Sequence, residues 1–133
     1  MKKDINFPKV AGVELAIVKK TIDGIASWYV YILNNNNFEI ENVLVVSSGY
    51  GEVNGKQQKT SVLRHMIENI QPRSSELIEH IQTDVFHLTN QYWVSYYKDG
   101  EIYDKKFIFL PDSIIDEHLI NIPQLNLPGI LHK

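Results

Sequence analysis

Gly49, Gly51 and Gly55 lead into Lys56, and glycines ahead of a lysine are what a phosphate loop uses to bring backbone N–H groups against an anion. The spacing does not fit that chemistry. Gly51 and Gly55 enclose three residues, Gly49 and Gly55 enclose five, and Gln57 stands where a Mg²⁺-binding hydroxyl would be needed. These glycines read instead as a bulge or bend in a hairpin. The five histidines, His65, His80, His87, His118 and His132, stand singly with no His-x-x-x-His spacing, so a metal site would have to be assembled by the fold. Glu76, Glu79, His80 and Asp84 make the densest group of possible ligands, and Asp116, Glu117 and His118 a second. Both read as solvated polar surface, and no metal or cofactor is expected. The absence of cysteine removes disulfides, thiolate ligands and a cysteine nucleophile.

Ser47, Ser48, Thr60 and Ser61 lie near Arg64 and His65, the residue types of a serine–histidine relay. With Asn54-Gly55 as a two-residue loop, Leu44 faces His65 and Ser47 faces Val62, which leaves no serine beside the imidazole. No catalytic residue is assigned, and an enzyme would need a site built entirely by the fold. What survives is a basic strip, Lys56, Lys59, Arg64 and His65, which either binds a small anion or protects a strand edge from pairing.

The elements that position these residues are read as strands. Asn54-Gly55 and Asp99-Gly100 supply the two positive φ values of a type I′ turn, and each lies between runs rich in Val, Ile, Tyr, Phe and Trp. Val13 to Lys19 and Ile25 to Leu33 flank Asp23-Gly24, and Asn34 to Asn37 reads as a loop tip before Phe38 to Ser48. Thr60 to Ile70 is ambiguous: Leu63, Met66, Ile67 and Ile70 fit a helical face, yet the Asn54-Gly55 hairpin demands a strand, and strand is favoured. Turn signals at this frequency predict an all-β protein, an immunoglobulin- or fibronectin-like antiparallel β-sandwich of about seven strands. Trp28, Val30 and Ile32 share one face and belong to its core. The sandwich covers 1–111. In 112–133, Asp112-Ser113 caps a short helix through Leu119, and the proline-rich remainder is an extended tail rather than a central strand, packed on the sandwich or on a partner.

The second hairpin carries a geometric consequence. Lys98 faces Glu101, Tyr96 faces Tyr103, Val94 faces Lys105 and Tyr92 faces Phe107, so that side points inward. The opposite side presents Trp93, Ser95 and Tyr97 against Ile102, Asp104, Lys106 and Ile108. Trp93 stands opposite Lys106, in reach of a cation–π contact worth about 0.5–1 kcal/mol. Three outcomes are open: the C-terminal tail covers this aromatic face, a second molecule covers it, or a bulge turns it inward. Deleting 112–133 is expected to lower stability or break an oligomer.

Thirteen Lys and Arg against sixteen Asp and Glu leave a net charge of −3 over 133 residues, which argues against a nucleic-acid partner. The basic start, Met1-Lys2-Lys3-Asp4, is broken by the acid and by Pro8 before any apolar run, so no signal peptide is expected. No apolar stretch approaches the length of a membrane helix, and a cytoplasmic location follows as the expectation.

Met1-Lys2-Lys3-Asp4-Ile5, Lys59-Thr60-Ser61 with Arg64-His65, Asp104-Lys105 with Phe107 and Phe109, and Ile122-Pro123 with Gly129, Leu131 and Lys133 resemble a small family of short bacterial proteins of unknown function. Some members carry the label phenylalanyl-tRNA synthetase alpha subunit, which does not suit a chain lacking the large class II core and its ATP-gripping arginine motifs. The resemblance spans the whole length, implies a free-standing protein, and supplies no catalytic residue. The expected function is protein–protein association or scaffolding, with a homodimer possible, through Trp93, Tyr97, Ile102, Lys106 and Ile108. The alternative is a small-anion module at Lys56, Lys59, Arg64 and His65.

Overall fold

Three Asx-Gly pairs reverse the chain as the turn chemistry requires. Asp23 and Gly24 have φ of 52° and 78°, Asn54 and Gly55 of 53° and 76°, and Asp99 and Gly100 of 53° and 77°, the double left-handed geometry of a type I′ turn. The computed structural model describes residues 9–133; the basic start lies outside the described residues. The turns join β1 (Val13–Ile22) to β2 (Ile25–Asn34), β3 (Ile40–Val53) to β4 (Lys56–Lys59), and β7 (Thr89–Lys98) to β8 (Glu101–Phe109). Between the second and third hairpins lie β5 (Leu63–Ile70), β6 (Ser74–Ile81) and a 3-10 turn at Thr83–Val85. After β8 come a second 3-10 turn at Asp116–His118 and the strands β9 (Ile120–Ile122) and β10 (Leu127–His132).

The protein is all-β, in two antiparallel sheets. The first has the order β6-β2-β1-β10-β9; in the second, β3 pairs with β7 and β7 with β8, while β4 and β5 follow each other along the other side of β3. Their facing sides share a core that includes Leu15, Ile17, Trp28, Val30 and Ile32 from the first sheet and Val43, Val45, Tyr92, Tyr96 and Phe107 from the second. Trp28 occupies the predicted core position and meets Phe86 edge-on at 5.3 Å. The ambiguous Thr60–Ile70 stretch is strand from Leu63 onward. No helix among the described residues is long and apolar enough to cross a membrane.

Several expectations need correction. Among the described residues ten strands replace about seven, and β1 and β10 neighbour each other inside one sheet, unlike the four-against-three division of an immunoglobulin-like sandwich. The predicted C-terminal helix is one 3-10 turn at Asp116–His118, with no side-chain cap. The tail is not merely extended: β10 is an inner strand between β1 and β9. Proline is tolerated there because the ladder with β1 runs only from Gly129 to His132, so Pro128 pairs on the β9 side alone. The asparagine run is more than a loop tip. Asn34 is fully buried, donates to the carbonyls of Phe38 and Ile70 at 2.9 and 3.2 Å, and accepts from the Asn36 amide at 3.1 Å. It thereby satisfies buried backbone groups where the chain crosses between sheets.

Candidate functional site

The β7–β8 ladder has the register expected from its turn, with Trp93 opposite Lys106, Tyr97 opposite Ile102 and Gln91 opposite Ile108. Alternation then puts these residues on the outer side of the sheet. Trp93, Tyr97, Ile102 and Ile108 are 45%, 41%, 46% and 37% exposed. Neighbouring strands widen the patch: Val46 lies opposite Trp93, Leu44 opposite Ser95, and Met66 opposite Leu44. The C-terminal strands β9 and β10 belong to the other sheet; the tail borders this face only at Ile108, which lines a shallow pocket with Ser113 and Ile130–His132, and leaves Trp93 and Tyr97 exposed. The expected cation–π contact is a correction. Among the described residues Lys106 is not seated on the indole, and lysine instead meets a ring at pairs such as Lys105 with Phe107 and Lys98 with Phe38.

The four residues of the basic strip do not converge. Lys59 and Arg64 pair opposite Tyr50 and Val46, on the outer side of β3, whereas Lys56 and His65 pair opposite Val53 and Val45, on its other side. Lys56, Lys59 and Arg64 are exposed, and His65 is half-buried. The cause is one extra residue. Tyr50 pairs with Lys59, yet Ser47 pairs with Leu63, so three steps along β3 match four along its neighbour. Thr60 sits at this bulge, its N–H donating to the Gly49 carbonyl at 2.9 Å and its Oγ1 accepting from the Gly49 N–H at 2.7 Å. A one-residue slip exchanges the two faces of a strand, which turns His65 inward and Arg64 outward. Gly49 itself keeps a regular pairing with Asn90; a Cβ there would come within 3.0 Å of Thr60 Cγ2.

The inward turn brings His65 to Glu79. Glu79 Oε1 accepts from His65 Nε2 at 2.7 Å and from Ser47 Oγ at 2.9 Å, and Oε2 accepts from the Tyr92 hydroxyl at 2.9 Å. Glu79 lies on β6, opposite Val30 and just past the irregularity at which Ile78 leaves the ladder; bulges of this kind re-aim side chains. The carboxylate, on the first sheet, therefore gathers donors from β3, β5 and β7 of the second. Burial holds the Tyr92 hydroxyl well above the ordinary tyrosine pKa, helped by the Glu79 charge and by the hydrogen bond to it. Neither serine nor histidine is arranged as a relay, since both donate to the same oxygen and not to each other.

Beside this group opens a cavity of about 190 Å³ lined by Ser47, Thr60, Ser61, Glu79, His80, Asp84, Asn90 and Tyr92, with Leu63, Ile81 and Val85 as apolar walls. The serine and threonine group and the Glu79, His80 and Asp84 group, separate in sequence, meet here. Glu76, the remaining member of that acidic group, is exposed on β6. Tyr92 and Asn90 were not legible as site residues. A signal existed for Ser47: Val43, Val45 and Ser47 share a buried side of β3, and a hydroxyl continuing an apolar alternation asks for a polar partner. Among the described residues no three His, Cys, Asp or Glu side chains gather closely enough to hold a metal ion. No family model, curated protein or solved structure matches the chain.

Proposed function

We propose that the protein is a non-catalytic association module that pairs with a second copy of itself through the outer face of β3, β5, β7 and β8. The observation that supports this reading is that Trp93, Tyr97, Ile102 and Ile108 stand exposed on one side of the β7–β8 hairpin while the C-terminal strands lie in the opposite sheet. Aromatic anchors ringed by polar residues are the usual composition of an interface centre. The face carries both signs: Arg64, Val46, Trp93 and Lys106 form one row across the sheet, and Asp104 sits in the next, opposite Ser95. A second copy therefore meets no field of a single sign, and a two-fold pairing is self-complementary.

The test is the mass in solution by sedimentation equilibrium. A concentration-dependent dimer is expected. Trp93→Ala with Tyr97→Ala should weaken it by tenfold or more, the consequence of losing about 2 kcal/mol at a hot spot, without loss of the far-ultraviolet strand signal. A wild-type chain that stays monomeric at every concentration overturns the reading. So does a double variant that dimerises as well as wild type.

A further inference from the structure

The cavity between the sheets has a hydrogen-bonding polarity of its own. Ser47, His65 and Tyr92 all spend their protons on Glu79. Asn90 Nδ2 donates to the carbonyls of Val85 and Leu88 at 3.0 and 3.2 Å, and Thr60 Oγ1 donates to that of Ser61 at 3.0 Å. What these groups leave unused is lone pairs: those of the Ser47 and Tyr92 oxygens, the Asn90 amide oxygen, and the fourth acceptor position of the Glu79 carboxylate. The Asp84 carboxylate adds to them from the 3-10 turn, and no lysine or arginine lines the cavity among the described residues. Ser48, Ser61, His80 and Gln82, which also line the cavity, can donate or accept, so its fixed polarity is that of the Glu79 group: free acceptors and negative charge, beside an aliphatic wall at Leu63, Ile81 and Val85.

We propose that this cavity binds a short organic cation, an alkylammonium whose N–H groups meet Glu79, Ser47 and Asp84 and whose alkyl portion lies along the aliphatic wall. An anion is disfavoured by the two carboxylates, and a purely apolar guest would leave Glu79 and Ser47 without exchange for the water they give up. A cavity of about 190 Å³ sits below the roughly 300 Å³ at which drug-sized pockets begin, which limits the guest to a small molecule. The competing explanation is that Glu79 merely ties the sheets together, and that role needs no guest.

Titration of the full chain with n-propylammonium chloride, followed by backbone amide resonances, separates the two. Saturable shifts at Ser47, Gly49 and Asn90 are expected, with no saturation by propan-1-ol or by sodium propanoate at matched ionic strength. Asp84→Asn, on an exposed turn, should weaken binding by roughly two- to fivefold, the range of an exposed charge contact. Glu79→Gln should abolish it; if that variant does not fold, Ser47→Ala serves as the second variant and should weaken binding. The proposal fails if propylammonium gives no saturable shift, if propanol or propanoate saturates the same resonances equally, or if the variants leave the affinity unchanged.

Discussion

At Glu79 a single carboxylate answers to a hydroxyl, an imidazole and a phenol from three different strands. A buried tyrosine facing such a group also sets how the fold responds to alkali. Tyr92 is held well above the ordinary value by burial first and by Glu79 second; Tyr96 is pushed up to about 12 by burial and by nearby Tyr103, on which it stacks at 5.1 Å. In the unfolded chain both ionise near 10. Folded values raised above unfolded ones contribute stability that is complete below pH 10 and is lost as pH climbs from there through the folded value, about 12 for Tyr96. Urea midpoints should therefore fall between pH 10 and 12, and Tyr96→Phe should make that fall shallower. An equally steep fall in both Tyr96→Phe and Tyr92→Phe would sink the account. The serine, histidine and acidic residues were each visible in the chain, but their meeting depends on registers that composition does not encode.

Strand registers explain both the successes and the failures of sequence reasoning. At Asp99-Gly100 the loop length sets the pairing, and every partner from Lys98–Glu101 to Trp93–Lys106 follows from it. At Asn54-Gly55 the same logic holds as far as Lys59 and then breaks at the Thr60 bulge. No turn residue announces that extra step, so His65 pairs with Val45 and not with the Leu44 that the loop length implies. β10 shows a different constraint. A Cβ on Gly129 would lie 2.7 Å from the Ile17 carbonyl oxygen and 2.9 Å from Val18 Cγ1, so this glycine permits the close approach of β10 to β1. Gly129→Ala is expected to destabilise the protein by about 1–3 kcal/mol, the cost of overpacking against backbone that cannot give way. Chemical denaturation measures it, and an unchanged midpoint would mean that the two strands separate easily.

For the molecule as a whole, the C-terminal segment decides which surface is left over. Its strands complete the first sheet, where β10 shields β1 and Ile122 joins a small second cluster with Ala16, Val18 and Leu33. Removing 112–133 therefore takes away two strands and uncovers a row of unpaired backbone groups on β1. The truncated chain is expected to unfold or aggregate and not to persist as a folded monomer. Thermal melts and light scattering would report this; a cooperative melt near the wild-type temperature would show the two strands to be dispensable. Because β9 and β10 are committed to the first sheet, Trp93 and Tyr97 on the second stay exposed.

Local chemistry in the chain determined the all-β class, the type I′ hairpins, the inward position of Trp28 and the outward position of Trp93 and Tyr97, since each depends on turn geometry or on the two-residue period of a strand. Tertiary structure alone decided the number and order of strands, the flip of β5, the place of the C-terminal strands and the convergence on Glu79. These rest on pairings between residues far apart in the chain, where one inserted residue reverses a face and no short-range signal fixes which strands become neighbours.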